Sequence, residues 1–179
     1  GIADTGSLET GLLDAGLLAD TLSVAMATGG EFAEVFVEDR RSTSAVLDDG
    51  RIEELSSGRD RGAGIRVVVG ETTGFAHTAD LSQAGLRNAA EAASAAARSG
   101  GGGVREVTLD GPSGPSSAVI GVLPADVPKA RKVALLERAD AAARSADGAI
   151  SQVSARYGDS QRRIQVANSE GLLTGDRQI

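Results

Sequence analysis

The chain has 179 residues, 18 basic against 25 acidic side chains, a net charge of −7 and no cysteine. The last excludes disulfides, thiolate metal sites and a cysteine nucleophile. Phe32, Phe36, Phe75 and Tyr157 are the only aromatics, which with the acidic balance argues against direct nucleic-acid binding, since that needs basic patches and stacking platforms.

No apolar run approaches the ~20 residues that cross a bilayer, and the start of the chain lacks a basic, signal-like segment. The expectation is a cytoplasmic protein with an aliphatic core and no membrane partner. Residues 1–13 read as a lead-in, and 14–179 as one domain. Asp14 precedes a helix whose Leu18, Leu22, Ala25 and Met26 share a face, stopped by Gly29-Gly30. "AEVFVEDR" alternates as a strand, and "TSAVLDDGRIEEL" reads as a hairpin turning at Asp49-Gly50. Gly64–Val69 and Thr73–Thr78 follow as strands and, with the hairpin, make an expected four-stranded meander.

Ser82 then caps a helix over about 83–98, with Leu81 and Leu86 placed for a hydrophobic staple and alanine on the inner face. Gly100–Gly103 end it. "VREVTL" suggests a short strand, and residues 110–118 a Pro/Gly/Ser-rich loop. Asp126 is expected to cap a helix over about 127–146, with Val133, Leu136 and Ala143 on one stripe and Gly148 after its end. "AISQVSARYG" and "QRRIQVANS" suggest a second hairpin around Gly158-Asp159, with Arg156, Arg162 and Arg163 as solvated strand positions. The pattern is α+β: a mostly antiparallel sheet, a meander plus a second hairpin, packed with two to three helices.

The stretch "GAGIRVVVGETTGFAHT", from Gly62 to Thr78, invites a chemical reading. A dinucleotide fingerprint needs G-x-G-x-x-G between a strand and a helix; here residue 67 is valine and the glycines open a strand. "GPSGPSS" lacks the Lys-Ser/Thr of a phosphate loop. The single histidine, His77, would need carboxylate co-ligands to hold zinc. A Ser-His-Asp arrangement is formally open but has no nucleophile-elbow pattern. The favoured reading is a half-exposed strand histidine. Glu53-Glu54 and Asp48-Asp49 flank a turn and read as solvated pairs.

The ordered set of segments resembles the N-terminal region of the TldD/PmbA family of zinc metallopeptidases and non-catalytic sister subunits, also described as modulators of DNA gyrase. The run Gly62–Ser82 carries it: a G-x-G-[IV]-R strand, "GETTGFA" and then "TADLS" entering a helix. "VANSEGL" at 166–172 is a second landmark, and the resemblance covers about residues 20–179, closer to the TldD branch. It implies a family zinc site on an H-E-x-x-x-H helix in a C-terminal half, so no residue here inherits a metal or catalytic role. The expectation is a scaffold that shapes a peptide passage and pairs with a like or sister subunit. Gly74, Phe75 and His77 are the candidate substrate or subunit contacts. A regulatory module without peptidase chemistry is the alternative, and an enzyme built around His77 a third. The chain stops inside a strand-like segment, which reads as a truncation ahead of a catalytic domain and carries an expectation of self-association.

Overall fold

The structure is a computed structural model that describes residues 11–98, 107–109, 120–146 and 148–179. The elements are α1 (Ala15–Met26), β1 (Phe32–Asp48), β2 (Arg51–Val69), β3 (Thr72–Thr78), α2 (Gln83–Ala96), α3 (Lys129–Ala146), β4 (Ser154–Asn168) and β5 (Leu173–Gln178), with a 3₁₀ turn at Pro124–Asp126. The strands form one five-stranded sheet in the order β3-β2-β1-β4-β5. The α+β class and the antiparallel sheet stand as expected. The chain divides into two compact units. The first is Gly1–Asp39, Arg61–Ser117 and Arg163–Arg177; the second is Arg40–Asp60, Ala118–Arg162 and Gln178–Ile179.

The first unit is built by helices on one sheet face. The Asp14 carboxylate accepts from the Gly16 and Leu17 amides at the start of α1, which satisfies donors a helix cannot pair internally. The Gln165 amide holds the segment before it: Oε1 accepts from Leu12 N (2.9 Å) and Leu13 N (2.8 Å), and Nε2 donates to Leu13 O (3.1 Å). Leu18, Leu22, Ala25 and Met26 then bury against Ala33, Val35 and Val37 of β1, Ala63, Ile65 and Val67 of β2 and Ala167 of β4. Ser82 accepts from Gly85 N at 3.2 Å as the cap of α2, and both staple residues, Leu81 and Leu86, are buried. Ala89, Ala90 and Ala93 form the buried face of α2, which packs on α1 and β3. The hydroxyls of Thr28 and Ser94 meet where the end of α1 passes α2.

The second unit has a smaller apolar core. Leu136 of α3 packs with Ala45 and Leu47 of β1, flanked by Ala155 and Tyr157 of β4. The Arg144 guanidinium forks between Asp140 of its own helix (3.0 Å) and Asp49 in the β1–β2 turn (2.5 Å). Those two carboxylates, first by hydrogen bonding, hold its pKa above the usual value. Asp48 accepts from Gln152 Nε2 at 3.3 Å, so Asp48 and Asp49 tie the turn down and are not merely solvated.

The structure differs from the sequence expectations at several places. The meander has three strands, because "AEVFVEDR" joins "TSAVLD" in one 17-residue strand and "RIEEL" joins "GIRVVV" in one 19-residue strand. The joining segments are polar and, on β2, exposed at every position from Arg51 to Arg61. Backbone pairing sustains a strand there that burial cannot signal. The second hairpin turns at 169–171, between β4 and β5, and not at Gly158-Asp159. Gly171 has φ 95° and the Asn168 Oδ1 accepts from the Glu170 and Leu172 amides (both 3.0 Å), whereas β4 runs straight through Gly158. Asp126 belongs to the 3₁₀ turn. Val127 is extended (φ −85°, ψ 119°) because the following Pro128 disfavours helical backbone, and α3 begins at Lys129 with the Pro128 carbonyl accepting from Arg131 N (2.9 Å). The buried positions of α3 are Lys132 and Leu136, so the inward stripe is rotated from the expected Val133. Arg163 is half-buried and donates to Gly11 O at 3.3 Å. Gly100–Gly103, residues 104–106 of "VREVTL" and the 110–118 loop lie outside the described residues; residues 107–109 are not strand, though Val107 is in the first core. Among the described residues, no helix is long and apolar enough to cross a membrane.

Asp49 (φ 46°) and Gly50 (φ 77°) occupy the left-handed region together, as a type I′ turn requires. Gly50→Val puts a β-branched residue there and is expected to cost on the order of 1–2 kcal/mol. Thermal melting checks this; a melting temperature equal to wild type contradicts the turn assignment.

Candidate functional site

Two places gather polar or exposed aromatic groups, one in each unit. The first is the outer face of the sheet at its β3 end. In β2–β3 pairing, Arg66 stands opposite Phe75 and Gly64 opposite His77, so these four share a face. Phe75 is 62% exposed. Its ring lies over Gly64, where an added Cβ would stand 3.1 Å from Cζ, and stacks beside His77 with centroids 6.4 Å apart. Arg66 reaches across to β1, 5.5 Å above the Phe32 ring and 3.5 Å from Glu34.

Gly74 sits on the other face, buried under α2. A Cβ there would overlap the Ala93 carbonyl oxygen and stand 2.6 Å from Ala97 N. The three residues named from the sequence are therefore neighbours in chain with two settings: Phe75 and His77 face outward, and Gly74 lets the strand approach the helix. Arg66, Glu34 and Phe32 join the outward face. The period-two alternation of β1 and β2 pointed to their side of the sheet, but only the register places them beside Phe75.

The second place is in the unit built around α3. Lys132 is 3% exposed. Its Nζ lies 2.6 Å from Asp159 Oδ2 and 3.3 Å from Thr43 Oγ1, and 5.7 Å from the centroid of the Tyr157 ring. The Tyr157 hydroxyl donates to the same Asp159 oxygen at 2.6 Å. Residues 157 and 159 reach this point together because alternate residues of a strand face one way. The hydrogen bond to Asp159, then burial, then the Asp159 charge push the Tyr157 phenol up to about 12. A pocket of about 470 Å³ opens beside this cluster, lined by strands β1, β2 and β4 and the start of α3. Sequence reading passed over Lys132; its i, i+4 spacing to Leu136 was the available sign.

Among the described residues, no group of three or more His, Cys, Asp or Glu side chains could hold a metal ion. His77 has Phe75 and strand neighbours about it, not a carboxylate set. The described residues do not fit a zinc site.

Asp159 carries the second cluster, so two variants separate its parts. Asp159→Ala strands a buried ammonium and is expected to cost about 3–5 kcal/mol, whereas Tyr157→Phe loses one hydrogen bond, about 1.5 kcal/mol. The phenol pKa is raised on folding, so its contribution is complete below the unfolded value of about 10 and is lost as pH rises towards about 12. Denaturant titrations from neutral to alkaline pH should give a fall over that window that is weaker in Tyr157→Phe. Equal alkaline slopes, or a smaller loss for Asp159→Ala than for Tyr157→Phe, contradict the assignment.

Comparison with known proteins places the whole arrangement. The family model for PmbA/TldA metallopeptidase domain 1 matches residues 33–97, and that for the PmbA/TldA metallopeptidase central domain matches residues 123–179. A metalloprotease TldD homologue of Haemophilus influenzae is 31% identical over 152 residues, 82% of this chain and 30% of that protein. A metalloprotease of Methanothermobacter thermautotrophicus is 34% identical over 146 residues, 80% of this chain and 31% of that protein. The chain thus spans less than a third of the curated relatives it matches. Among solved structures, TldE of Thermococcus kodakarensis superposes with a TM-score of 0.68 at 20% identity, over 83% of this chain and 34% of that one. A Bacteroides thetaiotaomicron protein titled a modulator of DNA gyrase superposes at 0.67 and 18% identity, over 90% and 38%. These likenesses show the same fold. With two models of one family matching more than half of its length between them, the chain belongs to the PmbA/TldD metallopeptidase family.

Proposed function

We propose that the chain is the N-terminal scaffold of a TldD-type metallopeptidase acting on peptides or unfolded proteins, and that it shapes substrate passage and subunit contact. The observation that carries this reading is the β3 end of the sheet: an edge position in the strand order, with exposed Phe75 and His77 on its outward face. An edge strand offers backbone donors and acceptors to an extended peptide whatever its sequence, and flanking side chains supply preference. The relatives named metalloprotease support the peptide as the class of substrate. The TldD naming of the Haemophilus influenzae relative supports that branch, and the TldE neighbour supports a family sister subunit as the pairing partner, with a like subunit the alternative. The metalloprotease naming of the relatives supports zinc in another part of the parent protein. This chain's own part is to hold and orient the peptide.

The test uses the full-length parent protein with its co-purified family subunit and a quenched fluorescent, unstructured peptide. Phe75→Asp is expected to raise KM roughly ten-fold with little change in kcat, which corresponds to loss of about 1.4 kcal/mol of binding. A parent protein that cleaves no peptide when zinc-loaded, or a Phe75→Asp variant with unchanged KM and unchanged subunit association, overturns the reading.

A further inference from the structure

The β1–β2 turn carries a chemistry that the proposed function leaves unused. Asp49 is the one aspartate among the described residues that is followed by glycine. In such a pair the next amide nitrogen can attack the side-chain carboxyl, because glycine has no side chain to block the approach. The Asp49 side chain is 61% exposed. The nearest atom to a Cβ built on Gly50 is Asp140 Oδ2, at 4.0 Å, so the space around the attacking residue is open. Asp49 also holds left-handed backbone, φ 46°, a conformation that costs an L residue some strain and that a longer, more flexible link would relieve. One contact opposes the reaction: Arg144 Nη2 donates to Asp49 Oδ1 at 2.5 Å.

We propose that Asp49 is a site of isoaspartate formation held in check by Arg144. The Gly50 nitrogen bonds to Asp49 Cγ, and the protonated carboxyl gives up its hydroxyl, which leaves as water with the amide proton. The product is a cyclic succinimide. Water then opens the ring at the Asp49 main-chain carbonyl, and the chain runs on through the former side chain. One water is released and one taken up, and nothing is oxidised or reduced. Ring closure consumes the carboxylate that Arg144 holds, so the ion pair stabilises the unreacted turn and not the succinimide. Such a bond is charge-assisted, and Asp140 keeps the guanidinium in place from within α3, at 3.0 Å. Isoaspartate adds a methylene to the backbone of a tight turn whose length fixes the register of its strands. Its formation therefore loosens both the turn and the tie from α3. The partner class for the altered residue is a carboxyl methyltransferase that esterifies isoaspartyl groups with S-adenosylmethionine.

The experiment incubates the full-length parent protein in warm neutral buffer and locates isoaspartate by fragmentation of its peptides. An isoaspartyl methyltransferase with labelled S-adenosylmethionine counts the total. Isoaspartate is expected to accumulate slowly at residue 49 of the wild type. Arg144→Gln should raise the rate there about five-fold, the scale of one exposed ion pair, and Arg144→Lys should restore most of the protection. Arg138→Gln, an equal loss of charge elsewhere on α3, should leave the rate unchanged. The Asp110-Gly111 pair is the internal control. Salt provides a test without substitution: screening of the exposed ion pair should speed the wild-type reaction at residue 49 relative to that control. Residue 49 unmodified in both wild type and Arg144→Gln overturns the proposal. So do equal rates in Arg144→Gln and Arg138→Gln, an equal rise at Asp110 in Arg144→Gln, or a wild-type ratio indifferent to salt.

Discussion

The first unit depends on one close approach, that of helix α2 to strand β3 at Gly74. The helix turns an alanine face to the sheet, Ala89, Ala90 and Ala93, and the strand beneath it offers a residue with no side chain. Alanine buries little apolar area, so each contact contributes little by transfer from water, at about 25 cal/mol per Å². What the small residues allow is proximity, and with it dense packing of backbone against backbone. The larger side chains, Leu18, Leu22 and Met26 of α1 and Leu86 of α2, then fill the core around this contact. Covering the inner face in this way leaves Phe75 and His77 presented on the outer one.

The second unit solves the same problem with different materials. Among the described residues its buried apolar cluster is Ala45, Leu47 and Leu136, and a lysine occupies the inward stripe of its helix. A buried charge is tolerable only when paired and hydrogen-bonded, which explains why Asp159, Tyr157 and Thr43 converge on one ammonium. Arg144 adds a second electrostatic tie, from α3 to the β1–β2 turn. An α3 helix with only Lys132 and Leu136 buried has little hydrophobic holding power, so polar geometry sets its position.

The readable parts of the sequence were those where local chemistry and burial agree. Asp14 and Ser82 cap helices, Leu81 and Leu86 close a staple, and Asp49-Gly50 turns a hairpin, because each signal is completed within a few residues. Long polar strands were not legible: Ser56 to Arg61 has no buried face, so nothing in its pattern separates a strand from a loop. Gly158 looked like a turn because glycine permits one, but the Asn168 side chain and Gly171 set the reversal elsewhere. Lys132 was hidden for a related reason. Its burial depends on Asp159, 27 residues later on another element, and such a partner is visible only once the strands are in place. The family was legible because it rests on the order of segments and not on any of these details. The part played by Gly74 fell between: the residue could be named, but its place beneath Ala93 and Ala97 follows from packing alone.

The account therefore turns on whether Gly74 is needed for the α2–β3 contact. The direct measurement is the stability of Gly74→Ala against wild type by thermal and denaturant unfolding. One methyl group would overlap the Ala93 carbonyl, and the account predicts a loss of about 2 kcal/mol or more, from overpacking that backbone cannot relieve without lifting the helix. A variant that melts with the wild-type protein would contradict it, since the helix would then have room that the close contact denies.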